Sequence, residues 1–146
     1  MISLKPTLSS AHARQMIETS KSKANELDVA CSIAVIGPDG HLLSFDRQDG
    51  AMPGSVELAI NKAFTAQIFN NGTDALSVLA QPGAELFGIQ HSYNGRVVVF
   101  GGGMPIRFQG QAIGAIGVSG GTVAEDVAIA EAGAGVLAES FVPCGA

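Results

Sequence analysis

At 146 residues, with thirteen acidic against eight basic side chains and a net charge of −5, the chain lacks the basic face that nucleic acid or an anionic membrane would require. A single Tyr and no Trp leave no aromatic platform for stacking bases, and no apolar run approaches the length of a membrane span or a secretory core. The expectation is one soluble, cytoplasmic domain over residues 1–146; with charged residues at 14 % and hydrophobic ones at 47 %, against roughly 25 % charged in ordinary domains, much of its apolar surface should be covered by subunit contacts in a homo-oligomer.

Residues 9–27 carry Ala13, Met16, Ile17, Ala24 and Leu27 at spacings of three and four, with Ser20 between them, which predicts an amphipathic helix capped by Thr7 or Ser9. Val29 to Ile36 is an apolar, β-branched run, and the turn Gly37-Pro38-Asp39-Gly40 separates it from His41 to Arg47; the pair predicts a β-hairpin. After a loop over 48–54, a second helix over 55–70 has Val56, Ala59, Ile60, Ala63 and Phe64 as its apolar stripe. Glu57, Asn61 and Thr65 line its other side, with Lys62 one step round. Thr73 to Ala80 predicts a short third helix, capped by Thr73 or Asp74 and stopped before Pro82.

An irregular, glycine-containing stretch follows, and then three segments with strand character: Arg96 to Phe100, Pro105 to Gln109 and Gln111 to Ser119, the last two turning at Gly110. Thr122 and Glu125 have capping-box spacing at the start of a last helix, whose apolar stripe is Val123, Val127, Ala130, Ala134 and Leu137. The order helix, hairpin, two helices, three strands, helix predicts an α/β fold: a mostly antiparallel sheet of about five strands flanked by helices.

Glycine is densest between Phe100 and Val123, where an apolar chain carries it only for positive φ or close backbone approach. Gly117-Val118-Ser119-Gly120-Gly121 matches G-x-S-x-G at a strand-to-helix junction, but a hydrolase of that type needs a carboxylate and then a histidine after the serine. The last histidine here is His91. The same turn also suits an anion seat on free N–H groups or tight packing of helix on strand, and the residues leave both open. His12, His41 and His91 share no metal-ligand spacing and Cys31 and Cys144 form no metal or disulfide framework, so no metal is expected. A single axial bond to heme is chemically open to any one of the histidines. Among the few basic residues after the first helix, Lys62 and Arg107 sit in otherwise inward-facing sequence and are the better candidates for holding an acidic ligand. Arg47 ends a strand, and Arg96, beside Asn94-Gly95, reads as a surface charge.

Several blocks together resemble the GlcG/HbpS family. They are Ser32-Ile33-Ala34-Val35 with Pro38-Asp39-Gly40, Phe45-Asp46-Arg47-Gln48-Asp49-Gly50-Ala51, Lys62-Ala63-Phe64-Thr65-Ala66, Gly102-Gly103-Met104-Pro105-Ile106, and Gly114 to Gly121. The resemblance covers nearly the whole chain in order. It implies a three-layer α/β/α, profilin-like domain forming homodimers and often octamers, with heme as a cofactor of some members, among them a domain fused to cobalamin adenosyltransferases. It also implies a ligand cleft framed by Lys62, Thr65, Phe69, Gly102, Gly103, Met104, Pro105 and Arg107. Gly37 and Gln48 depart from the aspartate and methionine common at those positions, and Pro143-Cys144 reverses the heme-regulatory dipeptide.

The expected function is therefore a small-molecule-binding protein for heme or a related planar carboxylated ligand, with apolar contacts from Phe69, Met104 and Ile106 and carboxylate pairing by Lys62 or Arg107. The alternative is an isomerase or lyase of aromatic or hydroxy-acid catabolism. There Arg47 or Arg107 clamps a carboxylate, N–H groups near Gly102 or Gly120 stabilise an enolate, and Lys62, Glu57 or Asp49 moves the proton. A purely structural subunit is the third reading, suggested by the low charge and the Ala/Gly-rich last helix.

Overall fold

The computed structural model describes residues 1–140; Pro143 and Cys144, and the side chain of Leu137, lie outside the described residues. Helix α1 spans Ser10–Glu26, where the Ser9 hydroxyl accepts from the His12 N–H at 3.2 Å and so satisfies a donor that the first turn leaves without a partner. Its buried face is Ala13, Met16, Ile17, Ser20 and Ala24, as the spacing predicts. Strands β1 (Ser32–Ile36) and β2 (Leu42–Arg47) form the expected antiparallel hairpin. Helices α2 (Ser55–Phe69) and α3 (Thr73–Leu79) follow, then strands β3 (Gly103–Phe108) and β4 (Gln111–Ser119) and helix α4 (Val123–Ser140).

The sheet is antiparallel throughout, with four strands in the order β2-β1-β4-β3. The expected count of about five is one too high, because Arg96 to Phe100 is not a strand. Val97 and Val98 are buried as an apolar run should be. The Val98 N–H, however, donates to the Thr65 hydroxyl at 3.0 Å instead of to a sheet neighbour, and the run is laid against α2.

Alternation along the central strands divides the interior into two layers. Ile33 and Val35 of β1, Ile106 of β3 and Ile113, Ile116 and Val118 of β4 join Met16, Ile17, Ile129 and Ala130 beneath α1 and α4, forming the larger cluster. On the other face Ile36 and Ala115 meet Ala63, Phe64 and Ala66 of α2, which makes the three-layer α/β/α arrangement. Helix α4 is rotated relative to its expected stripe. Ile129, Ala130, Gly133 and Val136 face the core, while Val123 is exposed, because Gly133 seats against α1 where the Ser20 hydroxyl donates to the Ile129 carbonyl at 2.7 Å.

Close approach, not flexibility, explains the glycines of β4. A Cβ at Gly117 would collide with the carbonyl oxygen of Ala59 and lie 2.6 Å from the nitrogen of Ala63, both on α2. We expect Gly117→Ala to lower stability by about 1–3 kcal/mol through overpacking against backbone that cannot yield. Gly135→Ala, in α4 with open space around its Cβ, should instead add about 0.5–1 kcal/mol. Urea denaturation of the two variants checks both signs.

Candidate functional site

The centre of α2 carries a lysine with no exposed surface. Lys62 Nζ donates to the Val118 carbonyl at 2.8 Å and to Asp126 Oδ2 at 3.1 Å, and it lies 5.0 Å from the centroid of the Phe100 ring. Asp126, 3 % exposed in the first turn of α4, also accepts from the Gly121 N–H at 2.9 Å. Burial pushes the Lys62 ammonium below and the Asp126 carboxyl above their ordinary values; each partner's charge opposes the other's shift, and the Gly121 and Gly120 N–H groups further steady the carboxylate.

The strand-to-helix turn thus has its anion built in. The N–H groups around Gly120 and Gly121 hold the Asp126 carboxylate, and the Thr122 N–H donates to Glu125 Oε1 at 2.8 Å while the Glu125 N–H donates to the Thr122 hydroxyl, completing the expected capping box. Of the two sequence readings of this turn, tight packing is the one realised. Ser119 lies beside Ser32, whose hydroxyl is 2.8 Å from that of Ser55.

Lys62, Thr65, Gly102 and Gly103 are brought together along one seam between α2 and the lead-in to β3. Gly103 rests on the Lys62 carbonyl, its N–H donating to the Thr73 hydroxyl at 2.9 Å, and a Cβ at Gly102 would fall 2.8 Å from Lys62 Nζ. Thr65 donates to the Asn61 carbonyl at 2.7 Å. Pro105 is buried two register positions beyond Gly103, opposite Ala115. Met104 and Ile106 point through the sheet to the core under α1 and α4.

Phe69 and Arg107 lie at the far end of α2. Arg107 is exposed and donates to the side chain and carbonyl of Asn70 at 3.1 and 2.7 Å, eight residues or roughly 12 Å along the helix from Lys62. Arg47 donates to the Ala51 carbonyl at 2.9 Å, and Asp49 lines a cavity of about 250 Å³ with Asn25, Asp28 and Gln48; neither is drawn to Lys62. Glu57 is exposed in the first turn of α2.

Sequence reasoning missed Asp126, Phe100 and the meeting of Phe64 and the expected Phe69 with Tyr93 beside α2. Tyr93 makes edge contacts with Phe64 and Phe69, at centroid distances of 5.5 and 6.4 Å, and Arg96 lies 3.7 Å over the Phe64 ring. The available signal for Asp126 was a carboxylate in an otherwise apolar helix; the aromatic group had none, being joined only by the fold. Among the described residues no helix is long and apolar enough to cross a membrane.

The chain matches the family model of the haem degrading protein HbpS-like family over residues 8–135. It is 40 % identical to an uncharacterized 15.0 kDa protein in the dhaT-dhaS intergenic region of Citrobacter freundii, covering 86 % of this chain and 88 % of that one. The crystal structure of Klebsiella pneumoniae protein ORFY superposes with a TM-score of 0.91 at 34 % identity, covering 97 % and 98 % of the two chains. That of a PduOC:heme complex does so with a TM-score of 0.85 at 34 % identity, covering 88 % and 94 %. The chain belongs to the HbpS-like family, with GlcG among its relatives, and the resemblance read from the residue blocks is correct.

Two expectations follow from the buried groups. Lys62→Met strands the Asp126 charge and should cost about 3–5 kcal/mol, whereas adding Asp126→Asn should recover part of that loss; equal urea midpoints for Lys62→Met and the unaltered protein would remove the pair from its central place. Cys31 is fully buried, and burial, with the negative charges of Asp126 and Asp46, pushes its thiol from 9.0 up to about 12. Below pH 9 both folded and unfolded chains keep that proton. Above it only the unfolded chain loses it, so stability falls as pH rises toward 12, by about 1 kcal/mol per pH unit. Denaturation midpoints measured across this range should decline less steeply in Cys31→Ala.

Proposed function

We propose that the protein binds heme or a related planar, carboxylated molecule beside the C-terminal half of α2, at the surface formed by Phe69, Tyr93 and Arg107. The observation that carries this reading is the likeness to the PduOC:heme complex, at 34 % identity and a TM-score of 0.85. The residues present suit such a ligand. Tyr93, 56 % exposed, and half-buried Phe69 offer apolar ring surface, and Arg107 offers a cation for a carboxylate. The Tyr93 phenol and the His91 imidazole, both in exposed single-turn helices, are donors of the chemical type that binds heme iron.

Lys62, Thr65, Gly102, Gly103 and Pro105 act in this reading as the packed wall behind the ligand, and Met104 as its anchor into the core. Their part is to hold the backbone of residues 96–103 against α2, which fixes where the aromatic surface stands. Heme, when bound, supplies iron-centred redox chemistry. Self-association fits the same surface economy: Val78, Leu79, Leu86, Phe87 and Val123 are all exposed in a chain with few charges to solvate them.

Titration with hemin should produce a shifted, saturable Soret band at one site per chain, weakened by Phe69→Ala or Arg107→Met. Absence of any saturable band in the unaltered protein would overturn the reading.

A further inference from the structure

The arrangement at Arg96 is unlike that of an ordinary surface arginine. Its Nε donates to Asn61 Oδ1 at 3.3 Å and its Cζ lies 3.7 Å from the centroid of the Phe64 ring, so the side chain is fixed at two points while its terminal nitrogens have no protein partner among the described residues. The ion pairs of the described residues use Lys21, Lys23 and Lys62. No described acidic side chain pairs with Arg96. Arg96 is half-buried as a residue, and with Nε and Cζ both held, its terminal nitrogens are the part of the fork left to meet a carboxylate.

A second feature adjoins it. Tyr93, Asn94 and Gly95 all adopt left-handed backbone conformations, with φ of 54°, 56° and 79°. Two successive non-glycine residues in that region cost free energy that surrounding structure must supply, and such strain gathers where a side chain has to be presented in one place. Here it presents Tyr93 across Phe64 and Phe69, directly before the arginine stacked on the same Phe64 ring. An oriented guanidinium with no carboxylate partner among the described residues thus adjoins the buried Phe64 ring and, through it, the half-buried Phe69 and exposed Tyr93.

We infer that Arg96 is a preformed carboxylate-binding fork, steered by Asn61 and Phe64, and that it selects ligands bearing a free carboxylate beside a planar aromatic body. This deepens the proposed function and rests on it, assigning acid recognition to a residue that the sequence pattern reads as surface charge. Asn61 acts as a positioning residue, since it touches the arginine and not the ligand.

The protein supplies its own reporter, because Tyr93 is its one tyrosine and it has no tryptophan; tyrosine emission therefore reports on this face alone. Protoporphyrin IX and its dimethyl ester, which lacks free carboxylates, are titrated against the full chain, following both porphyrin absorbance and tyrosine quenching. The unaltered protein should favour the acid over the ester by roughly ten- to a hundredfold, the scale of a charge-assisted hydrogen-bonded pair. Arg96→Met should cut that preference at least severalfold, with Arg107 supplying what remains, Arg96→Lys should restore only part of the loss, and Asn61→Ala should reduce the preference less than Arg96→Met does. Circular dichroism confirms that each variant is folded, and the Lys variant keeps the test decisive if the Met variant is not. Equal binding of acid and ester by the unaltered protein, or a preference that Arg96→Met leaves undiminished, overturns the fork while leaving heme-class binding in place. Binding of neither porphyrin overturns both.

Discussion

An ammonium group with no exposed surface persists only where its charge is met on several sides, and much of this structure is arranged to meet that of Lys62. The Val118 carbonyl, the Asp126 carboxylate and the face of Phe100 come from β4, α4 and the segment before β3. The Asp126 carboxylate needs partners in turn, and it takes the N–H of Gly121 at the start of its own helix. Removing two charges from water costs several kcal/mol per ion, so the pair adds less to net stability than its short contacts suggest. Its contribution is to orientation: with one partner on α2 and the other on α4, which lie on opposite faces of the sheet, it ties the two outer layers together past the end of β4.

That tie dictates where side chains must be absent. Gly102 lies so close to Lys62 Nζ and the Val118 carbonyl that a Cβ would stand 2.8 and 2.6 Å from them, and its φ of +126° is one that residues with side chains rarely adopt. Gly103 meets the Lys62 backbone, and Gly117 meets that of Ala59 and Ala63. The glycine-dense segment is therefore a contact surface shaped to admit α2, and the lead-in to β3 closes over a lysine that has no exposed surface. Chemistry that needs an accessible group is displaced outward, to residues held by this seam and not buried in it.

The sheet, the hairpin and the four α-helices were legible in the sequence because most depend on local signals: three-and-four spacing in α1, a Gly-Pro-Asp-Gly turn between β1 and β2, a capping box at Thr122. The expected fifth strand failed for a nonlocal reason, since Val97 and Val98 have strand-like composition but a side chain of α2, Thr65, receives the Val98 N–H. The α4 stripe was misplaced in phase because small residues make several faces of that helix acceptable, and only contact with α1 at Gly133 chooses among them. At the site, Lys62 stood out as a cation in inward-facing sequence, yet its partner, 64 residues away, could not be paired with it by spacing. Arg96 carried the opposite error: its neighbours Asn94 and Gly95 read as a surface turn, and only the fold supplies Phe64 and Asn61 beneath it.

The contrast between the chain's cations separates scaffold from recognition surface. Lys62 is buried and spent on an internal carboxylate, whereas Arg107 and Arg96 are held by neutral groups, Asn70 in one case and Asn61 with Phe64 in the other. A cation paired inside the protein gains little from a further anion, since its field is already compensated; one oriented by an amide oxygen or a ring keeps its full charge while losing its conformational freedom before any ligand arrives. Among the described residues neither guanidinium has a carboxylate partner, so in a chain with an excess of acid these two keep a positive charge that an anionic ligand of the proposed kind would meet.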